Sequence, residues 1–276
     1  MVTPELLSFS EFYRHPVEFP HRSSDAYIGE ITGKDSIAAV LQVADISTNP
    51  NPIQNLLGIG VYHHSFYGNA LEPIEHFQFL EKFFLQNIRT PLTAAFLYLD
   101  VAFLFDQLIL RTMATVQKHF GLFSPCPPCH LFFHMMRIPI ARHYGISQFI
   151  SGEREAHGTC LKFNQLPGIL TLLQDLLEQE GITLVQAIRS ISDDEKIFSL
   201  LGPSWHSAVP YRCSLSGNYY DEQGKIPFHE TAMIWALQEF YYPLFHRVIN
   251  YIETEHKEPS GDWIQEAVKQ VVQLVR

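Results

Sequence analysis

The chain has 276 residues, 46% of them apolar, and a formal net charge of -10. That apolar content suits one large folded domain, or one domain with a helical appendage, and excludes a disordered chain. So acidic a chain is poorly suited to general binding of RNA or DNA, whose affinity rests on basic groups meeting phosphates.

Residues 1–22 carry no basic stretch followed by an apolar run, so no secretory or transit signal is expected. The most apolar stretch, Leu92 to Leu110, is interrupted by Asp100 and Asp106 and reads as a buried strand followed by a helix, not as a membrane span. The expected compartment is the cytoplasm. There the four cysteines, Cys126, Cys129, Cys160 and Cys213, read as metal ligands, catalytic groups or core fillers before disulfides.

Short apolar runs alternate with longer helical patterns. Strands are expected at Tyr27–Ile31, Gly58–Tyr62, Thr93–Leu99, Ile146–Ser151 and Leu184–Ile191. Helices are expected at Asp35–Ala44, Glu72–Leu85, Val101–Phe120, Cys129–Tyr144 and Gly168–Gln179, with Pro139 kinking or breaking the fourth. Gly121, Gly145 and Gly181 stand where helix C-termini call for positive φ. This is an α/β fold with a mostly parallel five-stranded sheet and helices on both faces. Gly202–Pro227 reads as irregular, His229–His256 as one long helix kinked at Pro243, and Trp263–Arg276 as a final amphipathic helix. Residues 1–217 form the expected α/β domain, and 218–276 a helical extension packed on it. The aromatic stripe Phe240, Tyr241, Tyr242, Phe245 and Tyr251 reads as core or as a homodimer interface.

Thr32-Gly33-Lys34-Asp35-Ser36 lies between the first strand and the first helix. Backbone N–H groups converge at such a turn, and the helix dipole favours an anion there. Gly33 allows close approach, Lys34 adds a positive charge and Ser36 a hydroxyl. Asp35 after Lys34 excludes a Walker A loop, and no Gly-x-Gly-x-x-Gly is present. The alternative is a plain strand-to-helix turn in which Asp35 and Ser36 are helix caps.

Cys126-Pro127-Pro128-Cys129-His130 opens a helix, where a thiol pKa is expected to fall. The readings are a zinc site completed by His130 or His134, a catalytic thiol that carries a persulfide, a metal-cluster ligand pair, or thiols with no ligand role. After the next strand, Gly152-Glu153-Arg154-Glu155 should face the ligand crevice at the C-terminal end of a parallel sheet. Lys162, Asn164 and Gln165 are further candidates for substrate contact. Cys160 reads as structural. His63 and His64 should face opposite ways and are a poor metal pair; they read as surface residues, with a place for one of them on the nucleotide crevice as the alternative.

The loop Gly33-Lys34-Asp35-Ser36 resembles the pyrophosphate loop of the N-type ATP pyrophosphatases, whose usual form is Ser-Gly-Gly-x-Asp-Ser; Ile31 and Thr32 depart from the leading pair. The order of loop, Cys-x-x-Cys helix, glycine-led turn and a later cysteine, Cys213, resembles the tRNA thiolases of that superfamily. The resemblance runs from Tyr27 to Gly217 as pattern, not as close identity. It implies an adenine nucleotide α-hydrolase-like fold, ATP with Mg2+ on Thr32, Gly33, Lys34, Asp35, Ser36 and on Gly152, Glu153 and Arg154, and a 4Fe–4S cluster on Cys126, Cys129 and Cys213, with Zn2+ the alternative metal. It implies catalytic parts for Lys34, Asp35, Cys126 and Cys129, and a reaction in which a substrate carbonyl is adenylated and a sulfur donor then displaces AMP. Gly152-Glu153-Arg154 replaces the family's Gly-His-His, and the flanking zinc-finger cysteines are absent. With the acidic charge, this favours a nucleobase-like small molecule over tRNA. The rivals are an amidating enzyme using ammonia and a non-catalytic nucleotide-binding protein.

Overall fold

A computed structural model describes residues 5–20, 25–44, 53–87, 92–121, 124–157, 161–206, 211–227 and 229–275. Cys160 lies outside the described residues. In chain order the strands of the main sheet are β1 (Leu6–Leu7), β2 (Ala26–Glu30), β3 (Asn55–Tyr62), β5 (Thr93–Asp100), β6 (Gln148–Ile150) and β7 (Thr183–Val185), with β4 (Phe66–Tyr67) and β8 (Arg212–Cys213) forming a separate two-stranded ladder. The main sheet has the order β1-β5-β3-β2-β6-β7 and is parallel throughout. The α/β class and parallel sheet expected from the sequence are therefore those of the structure. The sheet has six strands where five were expected, because Leu6–Leu7 pairs along β5 at its edge.

Alternation of side chains along the strands explains the two layers of packing. Leu57, Ile59 and Val61 of β3, Leu97 and Leu99 of β5 and Phe149 of β6 enter one apolar cluster. Their neighbours Leu56 and Ile150 enter another. The second cluster is closed by α2 (Lys34–Ala44), α3 (Glu72–Asn87) and α8 (Asp194–Leu201). The first and larger takes α1 (Phe9–Arg14), α4 (Ala102–Phe105), α5 (Met113–Phe120), α6 (Cys126–Tyr144), α7 (Pro167–Gln179), α9 (Glu230–Ala236), α10 (Tyr242–Glu255) and α11 (Gly261–Leu274). Helices thus cover both faces. Gly58 is small for a reason: a Cβ there would stand 2.7 Å from the Phe77 ring of α3.

Several details differ from expectation. Helix α6 runs unbroken through Pro139, because Arg137, Ile138, Pro139 and Ile140 are all buried and packing holds the turn that proline weakens. The helix expected over Val101–Phe120 is divided by a π-helical turn at Asp106–Leu110. The long tail helix is distorted at a second π-turn, Leu237–Tyr241, just before Pro243, where the wider turn accommodates the missing N–H. The strand expected over Leu184–Ile191 ends at Val185, and residues beyond it turn toward the sheet's C-terminal edge. Gly121, Gly145 and Gly181 have φ of +70°, +71° and +76°, as their positions required. No helix of the described residues is long and apolar enough to cross a membrane.

Candidate functional site

The chain moves outward from β2 to β3 and β5, then returns to place β6 on the other flank of β2. The crevice at the C-terminal ends of β2 and β6 is the switch point at which parallel sheets bind ligands. Residues 32–36 follow β2 and residues 151–154 follow β6, so the topology itself brings these segments together. Their approach is close: a Cβ on Gly152 would stand 2.3 Å from the Ser36 backbone nitrogen.

The loop is held from within. The amides of Thr32 and Gly33 each donate to Ser36 Oγ at 3.1 Å, and that hydroxyl donates to the Gly33 carbonyl at 2.8 Å. From α3, His76 Nδ1 donates to the Thr32 carbonyl at 3.1 Å. Lys34 forms an ion pair with Asp194, the first residue of α8, at 2.5 Å. Arg154 is fully buried beneath the loop, with Nη2 2.6 Å from Asp194 and 3.3 Å from Asp35. Its guanidinium ties these two carboxylates together and does not line the cavity, whereas Gly152 and Glu153 do. Hydrogen bonds from Lys34 and Arg154 hold the Asp194 carboxyl down at about 2.

A cavity of about 500 Å³ opens on this loop. Its wall contains Thr32, Gly33, Lys34, Asp35 and Ser36 together with Cys126, Cys129 and Cys213. Lys162, Asn164 and Gln165 also reach it. A second cavity of about 910 Å³ shares Thr32, Gly33 and Lys34 and extends toward Phe198, Trp205 and Pro73.

The cysteines arrive from two places. Cys126 and Cys129 open α6, and Cys213 is brought to them by the ladder in which β8 pairs antiparallel with β4, Cys213 opposite Phe66. The Cys126 thiol donates to the Leu215 carbonyl at 3.4 Å, tying the helix start to this segment. All three are free thiols. The lowered pKa expected at the helix start is overturned. Burial pushes Cys126 up to about 12, with Cys213 adding to it, and burial raises Cys129 and Cys213 as well. Desolvation outweighs the helix dipole here.

The floor of the cavity carries a buried polar network. Glu153 Oε1 accepts from His134 Nε2 at 2.7 Å and lies 3.4 Å from His130 Nδ1, and its other oxygen accepts from the Ser151 hydroxyl. Asn164 Nδ2 lies 2.7 Å from His130 Nε2. Burial opposes charge on Glu153, but the two histidines outweigh it and hold the carboxyl well below its ordinary range. The i, i+4 spacing of His130 and His134 was legible in the sequence; their common partner, Glu153, was not.

For His63 the surface reading is overturned, and the alternative of a place on the crevice fits. It is fully buried, lines the cysteine cavity, and is pushed down to about 3 by burial. His64 does face outward, 3.0 Å from Asp106.

Thiolates of a tetrahedral zinc sit about 2.3 Å from the metal. Among the described residues, no group of three or more His, Cys, Asp and Glu side chains is placed to hold one metal ion. His130 and His134 are engaged with Glu153 and Asn164 instead. A cluster brings its own iron and sulfide and takes cysteine sulfurs around the wall of a cavity, and Cys126, Cys129 and Cys213, here thiols, line one.

No family model matches the chain. An uncharacterized protein of Methanocaldococcus jannaschii is 28% identical over 217 residues, 78% of this chain and 76% of that protein. Among solved structures, the U34-tRNA thiolase NcsA from Methanococcus maripaludis, determined with its 4Fe–4S cluster, is similar at a TM-score of 0.39 and 12% identity, over 97% of this chain and 78% of that one.

Proposed function

We propose that the protein adenylates a substrate carbonyl with ATP and replaces its oxygen by sulfur. The observation that carries this reading is that the loop Thr32–Ser36 and three free thiols line one cavity. The polyphosphate lies along Thr32–Ser36, with Lys34 meeting its charge and Asp35 organising Mg2+. The substrate oxygen attacks the α-phosphorus, the bond to the β-phosphate oxygen breaks, and pyrophosphate leaves with the electron pair. A hydrosulfide then forms the carbon–sulfur bond while the carbon–oxygen bond to AMP breaks, and its proton passes to a base at the cavity floor. Glu153, which accepts from His134 and lies against His130, supplies the negative charge of that floor. Cys126, Cys129 and Cys213 would hold a 4Fe–4S cluster, which when bound supplies an iron site for the sulfur. The net charge of -10 favours a nucleobase-like small molecule over tRNA.

The test is anaerobic purification followed by iron and sulfide analysis, with pyrophosphate release measured against free thiolatable bases and against tRNA. Iron and sulfide at cluster stoichiometry, lost in Cys126→Ala, are expected. Full activity in metal-free protein would remove the cluster, and ammonia replacing sulfide as co-substrate would make the enzyme an amidating one. Pyrophosphate release that survives Asp35→Ala and Ser36→Ala would remove the loop assignment.

A further inference from the structure

His63, just beyond β3, belongs to none of the groups used so far. Its ring is clamped by aromatic neighbours: Phe105 stacks on it at 3.9 Å and 15°, Phe66 lies at 4.0 Å and Phe133 at 5.5 Å. One ring nitrogen is committed. The Ser65 amide donates to Nδ1 at 3.2 Å, so Nδ1 presents its lone pair and the proton of the neutral ring sits on Nε2. Nε2 is buried and has no hydrogen-bond partner among the described residues, although the residue lines the cysteine cavity. A buried donor without an acceptor is costly to a fold, and a phenylalanine would fill the same space without that cost. The aromatic clamp fixes the direction of this unpartnered N–H.

The position of the ring narrows the acceptor. Phe66, packed on His63, is paired directly with Cys213 across the β4·β8 ladder, and the wall that His63 shares carries Cys126 and Cys129. Three of the side chains on that wall are cysteines. We propose that His63 Nε2–H donates a hydrogen bond to a sulfur of the iron–sulfur cluster held by Cys126, Cys129 and Cys213. This rests on the thiolation reading. It makes His63 a positioning residue that acts on the cluster's electronics: an N–H donor stabilises the more negative, reduced state and so raises the reduction potential.

The experiment uses full-length wild type, His63→Phe and His63→Gln, each reconstituted anaerobically with ferrous iron and sulfide. Iron and sulfide content, the visible spectrum, the melting temperature and the reduction potential by dye-mediated titration are measured for each. All three are expected to bind the cluster. The potential should shift downward in His63→Phe, which keeps the stacking and loses the donor, and return most of the way in His63→Gln, whose amide can donate. Hyperfine spectroscopy of the reduced wild-type cluster, made with 15N-labelled histidine, should detect one weakly coupled histidine nitrogen, a readout that stands even where His63→Phe does not fold. An equal potential in wild type and His63→Phe, or no histidine coupling in the wild type, overturns the inference and leaves the cluster in place. A wild type that takes up no iron overturns the cluster assignment and this inference with it, and leaves pyrophosphate release to decide the thiolation reading.

Discussion

Lys34 is the cation nearest the start of the phosphate helix, and in the resting protein it is already bound, by Asp194 at 2.5 Å. The same carboxylate receives Arg154, so the charge a polyphosphate would meet is partly neutralised by α8. Asp194→Asn should raise the affinity for pyrophosphate about 10-fold, a change of about 1.4 kcal/mol, read by calorimetry. The acid limb of stability should change as well. The folded carboxyl, at about 2, lies below its ordinary value of 3.8. Its contribution is thus complete above pH 3.8 and is lost as pH falls toward 2. Asp194→Asn should flatten acid unfolding across that window, followed by circular dichroism. Ser36 gathers the amides of Thr32 and Gly33 on one oxygen; Ser36→Ala should cost about 1 kcal/mol of stability in urea titrations and weaken ATP binding further. The residues of this loop were legible because strand, glycine, cation and hydroxyl fall in consecutive order. Asp194 and His63 were not: what they touch is decided by α8 and by Phe66 and Phe105, which are distant in sequence or packed in from other elements.

At the scale of elements, the turn after β6 is set against the start of α2 with no room for a side chain, since a Cβ on Gly152 would meet backbone at 2.3 Å and 2.6 Å. Backbone yields less readily than a flexible side chain. Gly152→Ala should therefore destabilise the fold by about 1–3 kcal/mol, measured by urea unfolding, and abolish nucleotide binding by displacing residues 35 and 36. The parallel strands were legible because each is a dense apolar run between helical patterns. Leu6–Leu7 was not, because two residues have no periodicity and pair only because β5 presents a free edge. Pro139 misled in the other direction: its local preference is outweighed by burial around α6. The π-turn at Asp106–Leu110 has no signature in residue type, since an extra residue per turn leaves the apolar pattern of a helix nearly intact.

For the molecule as a whole, the tail helices are part of the larger core. Phe240, Phe245, Val248, Ile249 and Ile252 are fully buried in the same cluster as Leu104, Phe105 and Phe132. Of the aromatic stripe, Phe240, Tyr241 and Phe245 are buried in this core, and Tyr242 and Tyr251 are half-buried. A chain ending at residue 217 would expose that surface. It should lose cooperative thermal unfolding, as seen by circular dichroism, and precipitate where the full chain stays in solution. A truncated protein that melts as sharply as the full one would make 218–276 a separable appendage.

The pairing of Phe66 with Cys213 is a ladder of two residue pairs, and side chains on a strand alternate between faces. Slipping β8 by one position would set Arg212 or Ser214 opposite Phe66 and turn the sulfur away. A guanidinium or a hydroxyl would then stand where a thiol does, and the sulfur chemistry of the wall would be gone with every residue still present. Inserting one residue between Ser65 and Phe66 should therefore act like deleting Cys213, leaving the sheet and phosphate loop untouched. The register of the smallest strands in the fold, more than the identity of the cysteine, sets the number of sulfurs that face the cavity.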